Sequence, residues 1–251
     1  MKNLIFTISL LICQFVNSQF MTIHKNDGTT VVISLSQIDS ITYSNPQVQN
    51  SIISNPGNPV VFDGYSYSTI VLGNGQQWMT ENLKSSHYAN GDSIPYVTDS
   101  SIWNNLLSGA QTHYNNNPQL EMTWGKLYNF YTVSDTRNVC PTGWHVPSAS
   151  EFDTLINYLG GDQIAGGSLK LISHWQPPNT GASNLIGFAG LPAGYRYSHA
   201  FSHLYQHGGF WTSSDDGSSG AWARDIHYDS ETVTNGHCGK DGGLSIRCIK
   251  D

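Results

Sequence analysis

The stretch PSASEFDTLINYLGG, residues 147–161, narrows the folds open to this chain more than any other segment. Ser148 reads as a helix N-cap, and Glu151 three residues on completes a capping box, in which each side chain satisfies a backbone donor of the other. Phe152, Leu155, Ile156 and Leu159 then recur at helical spacing on one face, and Gly160-Gly161 ends the run. One clear helix over about 148–159 follows. Two lesser helices are expected, one around 167–173 and one within WGKLYNFYTV with Leu127, Phe130 and Tyr131 inward.

Elsewhere the apolar residues fall in short runs divided by turn residues. VVFDGYSYSTIVLGNGQQWMTENL, from Val60, reads as hairpins turning at Gly64 and at Gly73-Asn74-Gly75. Residues 84–117 have no sustained period and read as long loop. GFAGLPAGYRY, GGFWTSS, AWARDIHYD and GLSIRCIKD return to strand patterns. Hairpins, then helices, then strands predict an α+β domain over 60–251, with a small mixed or antiparallel sheet, long loops and terminal strands that pair.

The chain opens differently. MKNLIFTISLLICQFVNSQF has one lysine, an apolar run from Leu4 to Val16, and compact residues before a cleavage point after Ser18. That is the pattern of a signal peptide over 1–18, and a run this short falls below the roughly 20 residues of a membrane span. Residues 19–45 alternate around Asn26-Asp27-Gly28, a hairpin signal, with a further short strand expected at Ile38 and Ile41. Residues 46–59, PQVQNSIISNPGNP, read as a linker into the main domain.

Charged residues are 12% of the chain, about half the ~25% usual for soluble domains. A polar, weakly charged surface fits a protein working outside the cytoplasm, secreted or at the cell surface. The net charge of −7 and the lack of clustered Lys and Arg exclude nucleic-acid binding. Without the leader, Cys140, Cys238 and Cys248 remain. A Cys140–Cys248 bridge closes about 109 residues and stabilises by roughly 4–5 kcal/mol on the chain-entropy model, with Cys238 left over.

QQWMTENLK, WGKLYNFYTV, CPTGWHVPSASEFDTLINYLGG, NTGASNLIGFAGLPAGYRY, FWTSS and LSIRCIKD stand in the order found in the Fibrobacter succinogenes major paralogous domain family. The chain resembles that family from about Val60 to Asp251, and the segment before it is similar to ones preceding secreted domains of Bacteroidota. The resemblance implies a secreted or surface protein and a C-type-lectin-like fold, shared with formylglycine-generating enzymes. GWHVPSASEF is similar to the RLPTEAEW stretch of those enzymes, with His145 in place of arginine. Family position also places Trp144, Trp211 and Trp222 in the core.

Four candidate sites follow. His199, His203 and His207 have the spacing of a metal ladder on a helix. Ser198, Ser202 and Gly208-Gly209 are poor helix material, and the resemblance places this stretch in a variable loop between strands, so no such metal is expected. Cys238 is the one thiol open to formylglycine-type oxidoreductase chemistry. It lacks the second cysteine which that chemistry requires, and no other catalytic residue is assigned. Asn179, Asn184, Asp215 and Asp216 offer oxygen ligands for calcium in places faintly similar to C-type-lectin motifs, though Asp-Asp-Gly is also an ordinary turn. Tyr195, Tyr197, Phe201, His203 and Tyr205 crowd an aromatic surface near Trp211 that suits stacking on sugar rings or a protein partner. The expected role is a non-enzymatic binding or adhesion module for a polysaccharide or surface protein. No resident cofactor is expected beyond that calcium option, and the sequence sets no oligomeric state. The alternatives are an oxidoreductase using Cys238 and a purely structural surface domain.

Overall fold

The structure is a computed structural model and describes residues 20–24, 29–34, 52–197 and 200–251. Two compact units divide at Pro46. The N-terminal unit contributes an antiparallel pair, β1 (Phe20–His24) and β2 (Thr30–Ser34), in register from Phe20↔Ser34 to His24↔Thr30. The signal-peptide stretch, the Asn26-Asp27-Gly28 turn and the strand expected at Ile38 and Ile41 lie outside the described residues.

The main unit is α+β, with several small antiparallel sheets and short helices. In chain order come β3 (Ser54–Phe62), β4 (Tyr65–Leu72), β5 (Gln77–Met79), α1 (Ser100–Trp103), β6 (Gln111–Thr112), α2 (Glu121–Trp124), β7 (Leu127–Tyr128), α3 (Phe130–Val133), β8 (Trp144–His145), α4 (Ala149–Tyr158) and α5 (Asp162–Leu169). The strands β9 (Tyr195–Tyr197), β10 (Ala200–Ser202), β11 (His207–Asp215), β12 (Gly220–His227), β13 (Val233–Gly239) and β14 (Ile249–Lys250) complete it. β3 begins at Ser54, inside the segment expected to be linker.

A five-stranded sheet runs β3-β4-β5-β14-β8, so the last strand of the chain lies between β5 and β8 rather than at an edge. Register aligns Ile70, Trp78 and Ile249, and these bury against Phe152, Leu155 and Ile156 of α4 in one of two apolar cores. The Cys140–Cys248 disulfide, beside β8 and β14, sits in the other core with Trp144, Trp211 and Ile246. Ser148 and Glu151 form the capping box at the start of α4.

The helix expected at 167–173 begins earlier, at Asp162, and ends at Leu169. Gly166 and Gly167 are internal to it because a Cβ there would strike the backbone of Glu231, Thr232 and Gly181. Within WGKLYNFYTV only Phe130–Val133 is helical, capped by the Asn129 side chain on Thr132 N. Leu127 and Tyr128 instead pair with Thr112 and Gln111, giving the expected loop region strand order of its own.

A three-stranded sheet, β11-β12-β13, carries the other features of interest. The chain from 243 to 245 ties it to its surroundings, with bridges Arg196↔Gly243, Tyr128↔Leu244 and Phe210↔Ser245. Lys170, wholly buried, donates to the carbonyls of Thr180, His227 and Ser230, which pins the end of α5 to the β12–β13 connection. Burial pulls that ammonium down to about 8. Among the described residues no helix is long and apolar enough to cross a membrane.

Candidate functional site

Alternation decides what each face of the three-stranded sheet presents. Register pairs His207 with His227, Gly209 with Asp225, Trp211 with Ala223, Ala223 with Gly236 and Ala221 with Cys238. These residues share one face. The intervening residues Arg224 and Ile226 face the helices, where Arg224 pairs with Asp153 of α4 at 2.6 Å. Glycine and alanine at 209, 223 and 236 leave that first face concave.

The hollow is a cleft of about 370 Å³ whose walls include Tyr195, Tyr197, His207, Asp225, His237 and Cys238. Its size lies within the range of small-molecule sites. His207 Nε2 stands 3.1 Å from Asp225 Oδ1. The glycines are what let this pair form. A Cβ on Gly209 would come within 2.7 Å of the His207 ring and 3.1 Å of Asp225 Oδ1, and one on Gly236 would collide with Asp225 Oδ2. Asp225 Oδ2 has no hydrogen-bond partner among the described residues, and its side chain is 18% exposed.

Tyr195 and Tyr197 come from β9, where alternation sends Arg196 the other way. Arg196 is wholly buried, its guanidinium 4.3 Å from the Trp103 ring centroid and donating to Val97 O at 2.8 Å. β9 can lie this close only with glycine before it: Gly194 has φ +65°, and a Cβ there would meet Ser202 O at 2.5 Å. Tyr195 is fixed by rings on two sides, stacked on His203 at 5.2 Å and edge-on to His207 at 5.2 Å. Tyr197 is 54% exposed at the rim.

The electrostatics of the cleft are those of carboxylates in a partly dry site. Burial, then Asp225 and Asp241, push the Cys238 thiol up to about 12. Burial, then Cys238 and Asp225, raise Tyr195. Burial lowers His227, and His207, whose ring lies 4.9 Å away, adds to the effect. At the far end His237 bonds Asp216, and that contact with the Ser218 amide holds the Asp216 carboxyl well below its ordinary range.

Tyr195 and Tyr197 therefore reach the cleft, and His203 backs Tyr195. Phe201 instead packs on Tyr114 at 5.5 Å and on the Arg196 guanidinium at 5.1 Å. Tyr205 stands edge-on to Trp124 at 5.5 Å, in a different group. The histidine ladder is absent among the described residues: His203 lies in a turn at φ +63°, His207 opens β11, and His199 is outside the described residues. Trp222 corrects the expectation of a core tryptophan. It is 39% exposed, because its register partner is His237 near the free end of the β12–β13 pair, beyond the cover of α4.

The four calcium candidates have separate engagements. Asn179 Nδ2 donates to the carbonyls of Leu171 and Ile172, and Asn184 Oδ1 accepts from Ala189 N at 2.7 Å. Asp215 pairs with Lys240 at 2.6 Å, and Asp216 with His237. Among the described residues no group of three or more His, Cys, Asp or Glu side chains is placed to hold a metal ion. Sequence reasoning missed Asp225, His237 and the glycines at 209 and 236. Strand register brings Asp225 and the two glycines to one face, while His237, on the alternate face, reaches the cleft only at its wall.

The family model described as the Fibrobacter succinogenes major domain matches residues 71–250, and the chain belongs to that family. No curated protein and no solved structure matches it.

Proposed function

We propose that this chain is a recognition module, exported to the cell surface or beyond on a cleaved leader, that binds a glycan in the cleft between β9 and β11–β13. The scaffold is read as C-type-lectin-like, following the motif order of the sequence. The observation that carries the proposal is the composition of the cleft: tyrosine rings at its mouth, and the His207–Asp225 pair set into a floor of glycine and alanine. Aromatic faces cover the apolar face of a sugar ring, and paired carboxylate and imidazole groups take its hydroxyls.

Binding is read as calcium-independent, since Asp215, Asp216 and Asn184 already serve Lys240, His237 and the Ala189 amide. The oxidoreductase alternative is opposed by Cys238 itself. Its thiol is pushed up to about 12, and it is unpaired among the described residues, so it is neither a thiolate at neutral pH nor half of a reactive pair.

The test is a glycan array with the full chain, repeated with EDTA, beside Tyr197→Ala. Signal that survives EDTA and falls several-fold in the variant supports the reading. A blank array, or signal unchanged by Tyr197→Ala, overturns it.

A further inference from the structure

We propose that the cleft selects a sugar carrying a free amino group, with Asp225 as the residue that reads the ammonium. This rests on the glycan-binding reading above and names its ligand class.

The argument begins with what faces the cleft and what does not. Asp225 presents a carboxylate with one oxygen on His207 and the other unpartnered, in space that Gly236 keeps open. A carboxylate with spare lone pairs, partly withdrawn from water, favours a cationic donor over a neutral one, because charge-assisted hydrogen bonds are about twice as strong as neutral ones. No fixed cation competes for it. Arg196, adjacent in sequence to both cleft tyrosines, points away to Trp103 and the Val97 carbonyl, and Lys240 is held by Asp215. The cleft therefore carries a net negative field. Burial is the main cause that raises both Cys238 and Tyr195, and Asp225 adds to each in the same direction.

The tyrosines supply the second half of the selection. Tyr197 is exposed at the rim, and Tyr195 is fixed by His203 and His207, so the Tyr195 ring need not be ordered on binding. Ring faces attract cations as well as the C–H face of a sugar. An anionic sugar finds no guanidinium or ammonium among the walls of this cleft.

The experiment is a calorimetric or NMR titration of the full chain with chitobiose-length glucosamine, N-acetylglucosamine and glucose oligomers. The fully deacetylated oligomer is expected to bind at least tenfold more tightly than the other two. Asp225→Asn, which keeps the side-chain shape, is expected to erase that preference while the melting point holds. Should Asp225→Asn fail to fold, loss of the preference on raising salt from about 0.05 to 0.5 M reads the same interaction. Equal binding of all three oligomers overturns the amino selectivity and leaves the glycan-binding reading standing. If none of the three oligomers binds and the glycan array is also blank, both fail. Tighter binding of a lysyl amide than of the glucosamine oligomer overturns the assignment to sugar and makes the ligand a protein.

Discussion

The guanidinium of Arg247 lies 4.5 Å from the centroid of the Phe188 ring and also donates to the carbonyl of Phe188. The same group, wholly buried, donates to Asn82 Oδ1 at 3.0 Å, to Ala189 O at 3.0 Å and to Met79 O at 3.3 Å. It thereby joins the segment before β14, the strand end at β5 and the loop that follows α5. No carboxylate takes part, so the charge is held by carbonyl dipoles and aromatic faces.

Replacing Arg247 with Met leaves those acceptors buried without a donor. The expected loss is about 3 kcal/mol or more, read as a lowered urea midpoint with unchanged slope. Arg247→Lys keeps the charge but loses the planar fork, and falls between. A midpoint for Arg247→Met within error of the parent protein would show that these bonds contribute nothing net.

The Cys140–Cys248 bridge spans 108 residues of sequence. Cys248→Ser in oxidising buffer is expected to lower stability by roughly 4–5 kcal/mol on the chain-entropy model. Cys238→Ser is expected to cost less than about 1 kcal/mol, since it removes no cross-link. Melting curves of the two variants side by side check the contrast, and equal losses would refute it.

His145, in β8, joins two separate carboxylates. Its Nδ1 lies 2.7 Å from Asp251 and its Nε2 2.9 Å from Glu151, so it ties β8 to the cap of α4 and to the last residue. Burial disfavours the charged ring, but the hydrogen bonds to Asp251 and Glu151 outweigh it and raise its pKa above 6.5. A raised folded pKa means that this stabilisation is complete below 6.5 and is lost as pH rises through the folded value. On the acid side, Glu151 is held below 4.5 despite burial by Ser148 and His145, so its share disappears as pH falls through that lowered value. His145→Gln is expected to flatten the decline of melting temperature between about pH 6 and 8. An unchanged pH profile would count against the pairing.

Local chemistry was legible where the chain spells it out within a few residues. The capping box of Ser148 and Glu151, the stop at Gly160-Gly161, the hairpins from Val60 and the two core cysteines all read directly. Gly166 and Gly167 misled, because they serve a close approach to Glu231 and Thr232 from far along the chain, which no local pattern encodes. Trp222 misled for a related reason, since a strand residue is buried only if something covers its face. Half of the site was visible as the aromatic run from Tyr195. The other half, Asp225 and the glycines that admit it, depends on pairing β12 with both its neighbours, and strand register is a tertiary property.

That dependence makes Gly236→Ala the sharpest test of the cleft. A methyl group at 236 collides with Asp225 Oδ2, and the carboxylate must leave its present position. The strand itself tolerates alanine at least as well as glycine, so the melting point is expected to move by less than about 1 kcal/mol equivalent. Ligand binding is expected to fall at least tenfold, and the ring resonances of His207 and Tyr195 to shift in NMR spectra of the ligand-free protein. Gly217→Ala, in the turn beyond β11 with nothing within 4 Å of the added carbon, should leave those resonances and the binding unchanged, whatever its positive φ costs in stability. If Gly236→Ala binds like the parent protein, the ligand does not use the Asp225 carboxylate, and the site must lie elsewhere on the surface.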